Sequence, residues 1–368
     1  MSAVAQGAPA QRHPLVRLLR DPLLWLIVAI VVIGAASSPY FLTPLNIANT
    51  IRNAAAIGLL SLGMTMVLLT GRIDLSVAAT MVFSVIVGVV VTVEIGALLG
   101  ERWLVRGNSF AGPPGLVIAV TLLTGLIVGI VNGIGVAYLK VASFIMTLVA
   151  LTALRGLNYI LTTGHPFYLK GETFNFIGDS VYFGIPTGFL IALVVLAVML
   201  VFLRGTVAGR RFYAIGGNEY AALYAGIKTA RYVVLAFAIS GLCAAIAGVV
   251  LTSRLKSVDA PLASGYELTA IAIAVIAGVS LAGGVGSPLR ALLASLAFAG
   301  ALNLFGLWGV STWYQNLAIG FVLLLAVGLS QARRRFLEQR RTGGRITYAW
   351  ILDSWRGYWN DKRQGFGS

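Results

Sequence analysis

Ten apolar runs, each about long enough to cross a bilayer as an α-helix, punctuate this chain: 22–38, 54–70, 75–93, 115–138, 143–163, 186–203, 232–252, 268–282, 288–308 and 313–330. Backbone in lipid must satisfy its own N–H and C=O groups, so such runs become helices or a closed barrel, and runs of this length become helices. Composition agrees. Of 368 residues 58% are hydrophobic and 11% charged, against about a quarter charged in soluble domains. The expected fold class is an all-α polytopic membrane protein with about ten transmembrane helices. The first run has the basic start and small-residue end of a signal peptide, but nine more runs follow, so it reads as a retained helix.

A net charge of +15 would suggest nucleic acid in a soluble protein. In a membrane chain it follows from the concentration of Lys and Arg in cytoplasmic loops. With residues 1–21 inside and strict alternation, twenty basic residues fall inside and six outside, Arg155 lying within a run. The split favours ten helices with both termini cytoplasmic. The expected organisation is a cytoplasmic N-terminal segment 1–21, a membrane domain 22–332 with a cytoplasmic loop 204–231, and a basic Trp-rich tail 333–368. The tail mixes aromatics with bases, which suits the anionic inner leaflet. The outer loops, such as "GHPFYLKGETFNFIGDSVYFGIP", carry aromatics, Gly and Pro, and none is long enough for a domain of its own.

The chemistry missing from the chain narrows its function. One Cys (Cys243) excludes a disulfide framework or a thiolate zinc site, and two His residues (His13 and His165) provide neither a metal site nor a Ser–His pair. No P-loop motif occurs, so the chain does not hydrolyse ATP through one. "GGVGS" at 283–287 follows an apolar run rather than a strand and reads as a tight inter-helix turn. No metal or cofactor is expected, and no enzyme activity. Asn132, Asn158, Asn303, Thr147, Thr152 and Ser84 lie within runs. They either line a path or bond helices to one another.

Within 204–231, "RGTVAGRRFYAIGGNEYAALYAGIKTAR", Gly216 and Gly217 break the chain and Asn218 is a good N-cap. Glu219 then suits the first turn and Gly226 the stop. The expectation is a helix of about two turns on the cytoplasmic face, either resting on headgroups or docking a cytoplasmic motor.

Here the sequence resembles the ribose-type sugar permeases of bacterial ATP-binding cassette importers. The resemblance rests on "GRRFYAIGGNEYAALYAGIKTARY", "ISGLCAAIAGVVLTSRL", "SGYELTAIAIAVIAGVSLAGGVGS", "LNIANTIRNAAAIGLLSLGMTMVLLTGRIDLSVAA" and "SFIMTLVALTALRGLNYILTTG", in family order across about 44–330. It implies an importer permease whose helices 2–5 and 7–10 form an inverted repeat. The implied partners are a second permease copy or paralogue, a cytoplasmic ATPase that holds ATP-Mg, and a periplasmic or lipid-anchored sugar-binding protein, all at the bacterial inner membrane. The residues implied in ATPase coupling are Arg211, Tyr213, Gly216, Gly217, Asn218, Glu219, Ala222 and Gly226. Those for the translocation path are Asp74, Ser76, Asn132, Phe144, Thr147, Arg155, Asn158, Glu267 and Asn303. Three positions depart from the family pattern: Arg72 and Ala78 stand where it has Gly, and Thr269 where it has Asp.

"LLTGRIDLSVAAT" sets Arg72 and Asp74 between two apolar runs, and Arg155 lies inside another. An isolated charge there is expensive, so Asp74 is expected to bond Arg72 or Arg155 and pin helix ends beside the path. Direct sugar binding by Asp74 is the competing reading. The functional alternative is an ion-coupled secondary transporter, which would work alone and call for more buried carboxylates. A membrane enzyme lacks a nucleophile–base pair.

Overall fold

The computed structural model describes residues 21–105 and 108–321, with Leu324 and Gly328. The architecture belongs to the first of two compact units, Met1–Leu323; in the second, Leu324–Ser368, Leu324 and Gly328 are helical. The expected segment 1–21, all but its last residue, and the tail 333–368 lie outside the described residues.

Twelve helices have defined bounds: α1 (Pro22–Ser37), α2 (Pro44–Leu69), α3 (Val77–Leu98), α4 (Pro114–Ala137), α5 (Ser143–Thr162), α6 (Glu172–Asp179), α7 (Thr187–Gly205), α8 (Val207–Gly217), α9 (Glu219–Tyr224), α10 (Thr229–Leu255), α11 (Tyr266–Ile276) and α12 (Pro288–Leu307). Seven of them, α2, α3, α4, α5, α7, α10 and α12, are long and apolar enough to cross a membrane. This is an all-α polytopic membrane protein. α1 and α11 are shorter apolar helices at two further expected positions. The tenth expected run is helical over 312–321, and its remainder lies outside the described residues save Leu324 and Gly328.

α2 and α10 form the centre, because they are apolar on every side and so must be surrounded. In α2 every residue from Ala54 to Leu69 is buried, and α10 is nearly as enclosed. α10 packs on α4, α2 and α3, while α12, α7 and α11 pack on α2. The α4–α10 contact is close because Gly125, Gly129 and Gly133 put a stripe of missing side chains on α4. A Cβ on Gly129 would stand 2.3 Å from the Phe237 carbonyl oxygen, and one on Gly241 would stand 2.1 Å from that of Gly125. Small residues at such spacing let backbones approach where lipid offers no hydrophobic drive for helix association.

α2 begins ten residues before its apolar run because its first turns are polar. Asn46 exchanges two amide hydrogen bonds with Asn303 of α12 (2.9 and 2.8 Å), and Arg52 donates to the Asp179 carbonyl (2.9 Å). α11 is shorter than the run 268–282. Gly278 turns the chain at φ +83°, and at about 1.5 Å per residue its eleven residues reach only about half of a 30 Å hydrocarbon layer.

Opposite α8 and α9, short strands tie the loops together: β1 (Leu104–Val105), β2 (Ser109–Phe110), β3 (Phe167–Leu169), β4 (Val181–Tyr182), β5 (Ile185–Pro186) and β6 (Ser257–Val258). The first sheet runs β1-β2-β3-β6. Leu104 faces Phe110, Ser109 faces Tyr168 in a parallel pair, and Phe167 faces Val258. β4 and β5 make a separate hairpin.

Candidate functional site

The segment joining α2 to α3 buries a carboxylate. Gly71, at φ +75°, stops α2, and the chain stays non-helical until Ser76. Asp74, 2% exposed, accepts from the Ser76 backbone N–H (3.0 Å), the Ser76 hydroxyl (2.6 Å) and the Ser240 hydroxyl of α10 (2.9 Å). Asn132 of α4 donates its amide to Ser76 Oγ (2.8 Å). One carboxylate thus fastens the start of α3 to α4 and α10. Asp74 lies between the two spans, and burial pushes its carboxyl above the usual range while Ser76 and Ser240 pull it back.

The expected bond from Asp74 to an arginine does not form; both arginines take other carboxylates. Arg72 Nη2 meets Glu219 Oε2 at 2.7 Å, and Arg155 Nη2 meets Glu267 Oε1 at 2.9 Å. The reason is solvation. A guanidinium at Asp74 would have to be fully desolvated as well, whereas neutral hydroxyls satisfy the carboxylate without a second buried charge. Arg72 and Glu219 remain partly wetted, at 29% and 36% exposure.

Arg72 leads to the other end of the loop problem. The expected single helix in 204–231 is two: α8, and α9 with Asn218 as its N-cap, whose Oδ1 accepts from the Ala221 N–H at 3.0 Å. Gly216 and Gly217 close α8 rather than break an irregular loop. They sit against two other glycine turns. A Cβ on Gly216 would stand 1.9 Å from the Leu69 carbonyl oxygen and 2.3 Å from the Gly284 nitrogen, while one on Gly283 would stand 2.8 Å from Gly71 Cα. The Gly284 N–H donates to the Leu69 carbonyl (3.1 Å), and the Tyr213 hydroxyl donates to the Gly286 carbonyl (3.1 Å). Burial raises the Tyr213 hydroxyl above its ordinary pKa, with Arg204 opposing. The ends of α2 and α8 and the turn before α12 therefore meet backbone to backbone, as no residue with a side chain would permit. The "GGVGS" stretch is a tight turn, with Gly283 and Gly284 at φ +93° and +72°.

The remaining coupling residues surround this junction. Arg211 hydrogen-bonds the Tyr232 hydroxyl with its guanidinium 5.4 Å from that ring's centroid. Ala222 is buried, and Gly226, at φ +79°, ends α9. α9 presents Tyr220 (77% exposed), Leu223 and Tyr224 (89% exposed) outward.

Of the expected path residues, Arg155 and Asn158 of α5 line one narrow cleft with Ala78, Ala79 and Val82 of α3 and the 260–264 stretch before α11. Glu267, 7% exposed, holds Arg155 from the first turn of α11. Asn303 is elsewhere, bonded to Asn46 as a helix-to-helix fastening. The Thr147 hydroxyl donates to the Ser143 carbonyl within its own helix (2.8 Å), and Phe144 is exposed. Sequence reasoning missed Ser240, which an apolar run with a lone hydroxyl ("ISGL") signals only weakly. It also missed the meeting of Gly71, Gly216 and Gly283. Among the described residues no group of His, Cys, Asp and Glu is arranged to hold a metal ion.

A family model described as branched-chain amino acid transport system / permease component matches residues 46–327, which include the Asp74 network, the glycine junction and the cleft. The chain belongs to this permease family. Its members are transport components of ATP-binding cassette systems rather than enzymes, so this chain is one too. Similar proteins include the ribose import permease of Bacillus subtilis, 37% identical over 315 residues, 85% of this chain and 92% of that one. The L-arabinose ABC transporter permease of Azospirillum brasilense is 35% identical over 304 residues (82% and 84%). The xylose transport system permease of Escherichia coli is 33% identical over 357 residues (80% and 87%). No solved structure matches the chain.

Proposed function

We propose that this chain forms the membrane path of an importer for a monosaccharide, most simply an aldopentose, powered by a partner ATPase that binds ATP-Mg and supplied by an extracytoplasmic binding protein. The observation that carries the reading is near-full-length similarity to permeases named for ribose, arabinose and xylose. In this reading the chain sits in the bacterial inner membrane with its termini and the α8–α9 end in the cytoplasm. A second permease copy or paralogue completes the path, and the second to fifth and seventh to tenth apolar runs are an inverted repeat.

The geometry supports a route for coupling. The ATPase would grip Tyr220, Leu223 and Tyr224, which α9 leaves uncovered. A push on α9 is carried by the Glu219–Arg72 pair into the segment that starts α3, and by the Gly216–Gly283–Gly284 contact into the turn between α11 and α12. Both are places where the helix is interrupted, and so where the chain bends at least cost. The remaining coupling residues, Arg211, Tyr213, Asn218, Ala222 and Gly226, keep α8 and α9 in place.

The test is reconstitution of the chain with its ATPase and binding protein in proteoliposomes. ATP hydrolysis stimulated by sugar-loaded binding protein is expected to vanish when residues 218–226 are scrambled while the complex still assembles. Persistence of the stimulation contradicts the coupling role.

A further inference from the structure

The Arg155–Asn158 cleft differs from every other buried polar site among the described residues in what it leaves undone. Asp74, Ser76, Asn132 and Ser240 satisfy one another, and Asn46 and Asn303 do the same. Asn158 is 1% exposed, yet neither its Nδ2 nor its Oδ1 has a hydrogen-bond partner among the described residues. Glu267 Oε2 is likewise buried and unpartnered. Native structures leave few such groups, because each forfeits its hydration without replacement. Arg52 Nε, Thr121 and Ser253 also lack partners, but Arg52 bonds Asn49 and Asp179 through its other two nitrogens, and the other two are single hydroxyls on packed helix contacts, not a donor–acceptor pair beside a cleft.

The cleft is closed, with no space for even one water, and small apolar residues meet two polar ones across it. Ala78, Ala79 and Val82 give the wall, and Arg155 and Asn158, three apart and so on one face of α5, give the polar groups. The Arg155 side chain is 39% exposed while Glu267 behind it is 9% exposed, so guanidinium donors remain free on the outer side. The ion pair is neutral overall, which disfavours a charged ligand. An amide that donates and accepts, beside guanidinium donors, fits neighbouring hydroxyls that each donate and accept in turn. The walls stand too close for a sugar ring as they are, so occupancy requires the 260–264 stretch to draw away from α3.

We propose that Arg155 and Asn158 form a transient subsite for a neutral vicinal-diol ligand, an aldopentose, that is exposed when 260–264 separates from α3. This rests on the import reading above. The test uses the full complex in proteoliposomes with labelled D-ribose, L-arabinose and D-xylose and saturating binding protein. Asn158→Leu keeps volume and removes the unpaired amide; Asn158→Ala removes both. Expected is at least a tenfold fall in uptake for both variants, with a thermal midpoint for Asn158→Leu no lower than that of the unsubstituted protein. Uptake within twofold of the unsubstituted complex in both variants overturns the subsite alone. So does a matched fall in midpoint and assembly, which would make Asn158 a helix fastening. No ATP-driven uptake of any of the three sugars by the unsubstituted complex overturns the import reading and the subsite with it.

Discussion

Gly216→Ala puts a methyl group where three backbone segments already touch. The added carbon would lie 1.9 Å from the Leu69 carbonyl oxygen, 2.3 Å from the Gly284 nitrogen and 3.0 Å from the Gly283 carbonyl carbon. Ordinary contact begins near 3.4 Å, so the turn must retreat by about 1.5 Å (3.4 minus 1.9). No side-chain rotation relieves this, because every neighbour is backbone. Overpacking of this kind costs about 1–3 kcal/mol. Displacing the Gly284–Leu69 hydrogen bond adds about 1 kcal/mol, for roughly 2–4 kcal/mol in all. The neighbouring Gly217→Ala is the control. Nothing lies within 4 Å of its added carbon and its φ is not positive, so a change within about 0.5 kcal/mol is expected. The assay is thermal unfolding in detergent with a thiol-reactive dye, since the single Cys243 is buried and free and is labelled only when the helices part. Gly216→Ala should unfold earlier and lose sugar-stimulated ATP hydrolysis, and Gly217→Ala should keep the unfolding midpoint of the unsubstituted protein. Equal behaviour of the two variants refutes the junction.

Other features give separate tests. Arg72→Glu or Glu219→Arg alone should weaken stimulation of the ATPase several-fold with under about 1 kcal/mol lost in stability, the usual worth of a partly exposed pair, and the double reversal should restore it; an unrestored double variant contradicts the pairing. Ser240→Ala leaves Asp74 Oδ2 without its donor and should cost about 1–3 kcal/mol by the same dye assay, whereas a cost within experimental error contradicts the fastening. Asn303→Ala, which takes the donor from Asn46 Oδ1 while Nδ2 keeps the Phe41 carbonyl, should lower the unfolding midpoint yet leave uptake by the folded protein near that of the unsubstituted chain. A selective loss of uptake would return Asn303 to the path.

The apolar runs located nine helices of defined bounds, and the tenth run is helical over 312–321, because a chain in lipid advertises apolar helices by composition alone. What composition does not carry is partnership between distant residues. "TGRIDLS" and "GGVGS" read as interruptions, and both are, but nothing local says that Gly71 and Gly283 meet at Gly216. Arg72 and Glu219, 147 residues apart, look like two unrelated charges. α8 was hidden because a basic, glycine-bearing stretch scores poorly as a helix. Its buried Gly209, Phe212 and Ile215 and the half-buried Tyr213 hold it by tertiary contact instead. The strands escaped because two or three residues are too few to show a period of two. The run 268–282 overshoots α11 because 277–282 stays apolar beyond the turn at Gly278. Asn132, Asn158 and Asn303 illustrate the same limit. They are one residue type in similar runs, yet the first is bonded to Ser76, the last to Asn46, and the middle one is unpartnered among the described residues.

The most direct test of import driven from outside the chain compares pentose uptake into proteoliposomes holding this chain alone with uptake into vesicles that also hold the ATPase and binding protein. The account predicts ATP-dependent uptake in the full complex alone, unaffected by an uncoupler. Uptake by the chain on its own that an uncoupler abolishes would contradict it and identify an ion-coupled transporter.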